Sequence, residues 1–379
     1  MQIAARNNLL WIATRHSSNT VQANRLFELY KNGKLQVVTS HTKIQDDFNS
    51  TRSLPMVEFP KNRIFTEVEN DTKVGNWRKP ITKYYRLGIS LLKFYRDGIQ
   101  NTYAVYRDSR RFLKGFGSQN YKDAIPSMLR IIESQELQLK RNVLTNNTND
   151  LAFKRADLVE MMRRNEIYKL PNFFIICLVF EELTAVLCYF FPQVAPRNCM
   201  TPGGYFKISN KKIEQFKKLT REVITDSEQY LPPYALSNSQ IYGIIKNSEM
   251  PISRGKLYLR NMFNIKDKLI QDLTIWYQYI YIDDWYLVTT LMKGKELRLD
   301  RSELVNCIYE RKLYQKGENL NEMMLSKEGT DTLVRRLIDY WSYRFGNTII
   351  IDGKLTFNEK WGITNLKSML PENTLTIGR

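Results

Sequence analysis

Between Pro171 and Pro192 the chain reads NFFIICLVFEELTAVLCYFF, twenty residues in which only Glu181 and Glu182 are strongly polar. A stretch of about 20 apolar residues is what a bilayer-crossing helix requires. The two acids oppose insertion, at about 2.5–3.5 kcal/mol each when charged at mid-bilayer. About fifteen strongly apolar residues supply roughly −0.3 to −0.6 kcal/mol each. Insertion is then marginal with both acids ionised. It becomes favourable once one is protonated or faces a partner helix or a polar cavity. The competing reading is a buried core helix of a soluble protein.

The flanks give no orientation. Lys154, Arg155, Arg163, Arg164 and Lys169 precede the run, and Arg197, Lys207, Lys211 and Lys212 follow it. With both sides basic, the positive-inside rule does not choose between them.

Charge points to an anionic partner. The chain carries 57 Lys and Arg against 39 Asp and Glu, a net charge of +18. Such a balance suits RNA, a ribosome surface or acidic lipid. A hydrophobic fraction of 43% supports a folded core. The four cysteines form no CxxC pair, and the two histidines stand at positions 16 and 41. No disulfide framework, zinc site or histidine chemistry is expected from that distribution. A Walker phosphate loop, a GxGxxG turn and an EF-hand loop are all missing from the sequence. The chain is therefore expected to be neither an enzyme nor a holder of cofactor or metal.

The beginning of the chain reads as an address. Arg6, Arg15 and Arg25 precede the first acidic residue, Glu28. Arginine-rich, acid-poor and amphipathic is the pattern of a mitochondrial transit peptide, assigned to residues 1–30. A linker follows over 31–80. From Ile81 to Leu113, Tyr85, Leu92, Ile99, Tyr106 and Leu113 recur every seven residues, predicting one long amphipathic helix or two joined at Gly98. From Arg78 to Lys114 there are ten Lys and Arg against two Asp, a basic aromatic helix that suits an anionic membrane surface. Basic amphipathic helices are expected over 81–150, and the membrane-span region over 151–200.

Residues 205–360 read as a helical domain. WYQYIYIDDWYLVTTL (276–291) is apolar except for Asp283 and Asp284, and is expected to be buried. Ser302 is the expected cap of one late helix, and Thr330 or Asp331 of the next. The DG of NTIIIDGKLTF (347–357) suggests a short hairpin. The fold class expected is mainly α, with one transmembrane helix over about 171–192 followed by a basic, helical soluble domain.

GISLLKFYRDGIQNTYAVYRDSRRFLKG (88–115), KRADLVEMMRRNEIYKLP (154–171), the acid-bearing run and FPQVAPRNC (191–199) follow in that order. This order resembles the LETM family of mitochondrial inner-membrane proteins. SELVNCIYERKLY and TDTLVRRLIDYWSYRF resemble the closing helix pair of that family's matrix domain. The resemblance implies a mitochondrial inner-membrane protein with its C-terminal domain in the matrix. It implies partners in the mitochondrial ribosome and inner-membrane lipid, a possible homo-oligomer, and support of translation or membrane insertion of organelle-encoded proteins. Lys211, Lys212, Lys217, Lys218 and Arg221 are the expected ribosome or RNA contacts, because such phosphate contacts are basic and largely sequence-independent. The alternatives are cation/proton exchange with Glu181 or Glu182 carrying the proton, and a soluble mitochondrial RNA-binding factor.

Overall fold

A helix apolar around most of its circumference needs a shell on every side. Residues Lys266–Met292 form such a helix, 27 residues long, and the rest of the chain wraps it. The computed structural model describes residues 24–39, 46–140, 153–180, 187–188, 190–223, 234, 236–345, 350–351 and 354–355. The expected mainly helical class is what is found. The chain begins with α1 over 24–31, β1 Leu35–Val38, α2 Lys61–Glu69, α3 Lys79–Gly115, α4 Tyr121–Lys140 and α5 Arg155–Arg163. After a 3₁₀ segment, Arg164–Lys169, come α6 Leu170–Phe180, α7 Pro202–Val223, α8 Asn238–Asn247, α9 Arg254–Met262 and α10 Lys266–Met292. The chain continues with β2 Leu297–Asp300, α11 Arg301–Glu310, α12 Leu320–Met323, α13 Lys327–Phe345, β3 Ile350–Ile351 and β4 Lys354–Leu355.

Helix α10 packs against α4, α5, α8, α9 and β2, and α11 packs against α13. Strands β1 and β2 pair in parallel, Leu35 opposite Leu297 and Val38 opposite Asp300. Strands β3 and β4 form the expected antiparallel hairpin, Ile351 opposite Lys354. Residues 24–31 and 31–80, read from sequence as transit edge and linker, contribute Leu26, Leu35, Leu54 and Val68 to the interior.

Two caps differ from expectation. Helix α11 is capped by Asp300, whose Oδ1 accepts from the Ser302 amide at 2.8 Å. Helix α13 starts at Lys327, upstream of Thr330 and Asp331. There the Gly329 amide donates to Ser326 Oγ at 3.0 Å. Side-chain oxygens satisfy otherwise orphaned first-turn amides in both cases.

Asp283 and Asp284 are buried on α10 because cations meet them there. Arg155 Nε lies 2.6 Å from Asp283 Oδ1, and Arg311 Nη2 lies 2.6 Å from Asp283 Oδ2. Asp284 accepts from Arg311 Nε at 2.7 Å, Trp341 Nε1 at 2.8 Å and Tyr340 Oη at 3.1 Å. Glu303 completes the network with Arg163 at 3.1 Å and Arg155 at 3.3 Å. Arg155 and Arg163, read from sequence as membrane flanks, are therefore core ion-pair partners.

The single span expected over 171–192 finds no support, and residues 181–186 and 189 of that run lie outside the described residues. Among the described residues no helix is long and apolar enough to cross a membrane. Helix α6 has 11 residues, about 16 Å at 1.5 Å per residue, half of a roughly 30 Å hydrocarbon core. Phe173 and Cys188 share one small cluster with Ala195 and Cys199 against Tyr95 and Ile99 of α3. One straight helix would hold positions 173 and 188 about 22 Å apart. The two ends of the run instead meet on the same patch of α3.

Candidate functional site

Helix α3 begins outside the core and ends within it. Its buried stripe is Phe94, Gly98, Thr102, Val105, Ser109 and Leu113, spaced four and three residues apart. A strict seven-residue repeat drifts by about 20° per heptad on such a helix. The expected stripe therefore enters the core only at its end: Leu113 is buried, whereas Tyr85 and Leu92 stand in the open, Leu92 at 71% exposure. Trp77, Ile81, Tyr84, Tyr85, Ile89 and Leu92 form an exposed apolar and aromatic strip. Ile81, Leu92 and Ile99 lie about three and five turns apart on one side, so this strip runs into the patch where Phe173 and Cys188 pack.

At Gly98 the expected joint is a close approach instead. A Cβ there would collide with Cys199 Sγ. Asn198 Nδ2 donates to the Gly98 carbonyl at 2.9 Å, and Thr102 Oγ1 donates to Asn198 Oδ1 at 2.8 Å. The segment after the apolar run is thereby fastened to α3. Tyr95 packs against Phe173 with the rings tilted, centroids 5.7 Å apart, and is hydrogen-bonded to the Cys188 thiol. Outward from this anchor, Phe174, Ile175, Leu178 and Val179 of α6, with Phe190 and Phe191, are exposed; Leu178 reaches 77%. Single exposed apolar side chains need no explanation, but contiguous ones mark an interaction surface.

Beside the ends of that run lies a charged cavity of about 310 Å³, adjoining a larger one of about 870 Å³. The 3₁₀ segment before α6 contributes Glu166 and Lys169, the chain after the run Gln193 and Arg197, α7 Lys211 and Lys212, and α8 Lys246. Glu249 and Arg254, from the α8–α9 connection and the start of α9, complete the charged wall, with Tyr205 and Tyr309 beside it. Six cations thus face two carboxylates. Lys169 pairs with Glu166 at 2.8 Å, Arg197 lies 3.7 Å from Glu249, and Lys212 also pairs with Glu249. Burial would raise the Glu249 carboxyl, but Lys212 and then Arg197 outweigh it and hold the group well below the usual carboxylate range. Lys246 lies over the Tyr242 ring, and Arg254 donates to Gln193 Oε1 at 3.1 Å. Next to Tyr309, Lys312 is only 3% exposed. Its Nζ has no hydrogen-bond partner and lies 4.3 Å from the Tyr309 ring centroid. Burial and then Lys212 push its pKa down to about 7.

The residues expected from sequence do not form one patch. Lys211 and Lys212 line the cavity. Lys217 acts electrostatically on Glu318, Lys218 is exposed on α7, and the Arg221 side chain lies outside the described residues. Glu181 and Glu182 also lie outside them. Sequence reasoning missed Lys246, Glu249 and Arg254 at the cavity. It saw Lys169 and Arg197 only as flanks of a span, although their position at its two ends was the available signal. Among the described residues no group of three or more His, Cys, Asp or Glu is placed to hold a metal.

The pentamidine resistance factor domain family matches residues 48–292. The chain is 37% identical to the mitochondrial pentamidine resistance factor of Saccharomyces cerevisiae over 381 residues, covering 91% of this chain and 89% of that relative. No solved structure matches. The LETM resemblance is corrected by these matches, because 154–199, where it is strongest, falls inside the region that the other family covers.

Proposed function

The chain belongs to the pentamidine resistance factor domain family, and on that premise we propose that it is a mitochondrial protein that docks in the plane of an anionic membrane surface. Mitochondrial location has the support of the yeast relative. The inner membrane, with the helical body on the matrix side, is the placement we propose, since basic pockets on that side suit cardiolipin head groups. The protein acts there by binding rather than by catalysis.

One observation carries this reading: the exposed apolar residues of α6 and Phe190–Phe191 share their anchor on α3 with the exposed strip from Ile81 to Leu92. Cations border both. Lys93 and Arg96 are exposed on α3, and Lys207 lies over the Phe190 ring at 5.8 Å. Apolar area and cations together set the strength of such in-plane binding. Each large side chain removed from water contributes on the order of 1–2 kcal/mol here, since full burial of a fully exposed one contributes about 1.5–3.

Flotation of the purified chain with cardiolipin-containing vesicles tests the proposal. The wild type is expected to float, and Leu178→Asp with Val179→Asp to stay at the bottom with an unchanged melting temperature. A wild type that never floats removes the proposal. A second reading has a narrower footing: Lys211 and Lys218, seven residues apart on α7, are both exposed. On that face we place ribosome contact in support of translation or membrane insertion of organelle-encoded proteins. Co-sedimentation with mitochondrial ribosomes that is unchanged by salt and by charge reversal of both lysines would count against it.

A further inference from the structure

The cavity and the apolar run share their ends. Lys169 directly precedes Leu170, and Gln193 directly follows Pro192; both line the cavity. If the run between them enters hydrocarbon, the cavity mouth sits at the depth where lipid phosphates lie. We propose that this cavity takes the phosphate of an anionic phospholipid head group, held by Lys211, Lys246 and Arg254. The inference rests on the membrane-docking reading above.

Charge sets the ligand class. Glu166 and Glu249 engage Lys169, Lys212 and Arg197, and among the described residues no carboxylate lies within ion-pair distance of Lys211, Lys246 or Arg254. A guanidinium fork with two ammonium groups is a phosphate-binding set. Lys312 is an independent sign: a buried side-chain amine with no hydrogen-bond partner lies 4.3 Å from the ring centroid of Tyr309, which lines the cavity. An anion seated in the cavity relieves the repulsion between Lys312 and Lys212. A cavity of about 310 Å³ accommodates a head group, being at the lower end of typical ligand pockets. Its position between the two ends of the apolar run favours a lipid over a free anion, because only a lipid phosphate is brought there by the docking itself.

The test uses the full chain and three vesicle types: phosphatidylcholine alone, and phosphatidylcholine with cardiolipin or with phosphatidylglycerol. Lys211, Lys246 and Arg254 are exposed, so replacing all three by Gln leaves the core intact. A control replaces Lys268, Lys295 and Lys327, exposed lysines that do not line the cavity, with the same loss of charge. Wild-type affinity for both anionic vesicles is expected to fall by about a hundredfold in the cavity variant, from the loss of three cations at the lipid surface. The control should lose severalfold at most. Binding to phosphatidylcholine alone should be equal in all three proteins.

Equal losses in cavity variant and control overturn the head-group site while docking stands. A wild type that binds no vesicle overturns docking first, and this inference with it. Titration of inorganic phosphate without membranes separates the two phosphate sources. Saturable binding that is lost in the cavity variant, with vesicle affinities unaffected, identifies a free-phosphate site and overturns the lipid assignment.

Discussion

Asp284 shows what a single acid costs and contributes inside this core. It is fully buried and accepts from Arg311, Trp341 and Tyr340. Removing one member of such a set leaves the others charged or unpaired in low dielectric. Asp284→Ala is expected to lower stability by about 3–5 kcal/mol, read from the urea midpoint. Lys312 makes the opposite contribution. Its folded pKa of about 7 lies below its ordinary 10.5. Between those values the unfolded chain binds more protons, so stability rises with pH across that window and the penalty is greatest below it. Lys312→Met should therefore raise the melting temperature more at about pH 6 than at about pH 9. At this scale the sequence was partly legible. The paired acids in an apolar run announced something unusual, but Arg311 and Arg155 stand 28 and 128 residues from Asp283, beyond any local pattern.

Helix and turn positions were legible because their signals are local: periodicity along 81–113 and turn chemistry at the closing hairpin. What each helix faces was not. The seven-residue stripe on α3 looked like a continuous seam, yet Tyr85 and Leu92 are exposed and only Leu113, at its end, is buried. Gly98 looked like a break and is a contact point. Gly98→Val should lower the melting temperature, since the new side chain meets Cys199 Sγ, at an overpacking cost of about 1–3 kcal/mol. The α6 substitutions Leu178→Asp and Val179→Asp should have no such effect, because those side chains are exposed already. A thermal scan of the three variants checks both statements. The apolar run was the strongest local signal in the chain. Its length was right for a bilayer crossing, but length alone does not reveal that Phe173 and Cys188 share an anchor.

At the scale of the molecule, site and fold are one assembly. The charged cavity draws on the 3₁₀ segment, the chain around 193–197, α7, α8, the connection before α9 and the start of α9. No contiguous motif could have revealed it. The net charge of +18 raised the expectation of an anionic partner without saying where one would sit. Raising salt should weaken binding to cardiolipin vesicles more than binding to neutral ones, because screening acts on the cations and leaves apolar burial in place; flotation across a salt series measures the difference. The pairing of β1 with β2 carries a consequence for the life of the chain. Ser50 donates to Glu303, 253 residues further along, and Leu35 pairs with Leu297. A polypeptide threaded into an organelle with its N-terminus leading keeps these early segments without their partners until most of its length has arrived. Closing loops of that size is slow. Its opening strand would wait, sticky and unpaired, and Arg155 and Arg163 would wait with it for Asp283 and Glu303.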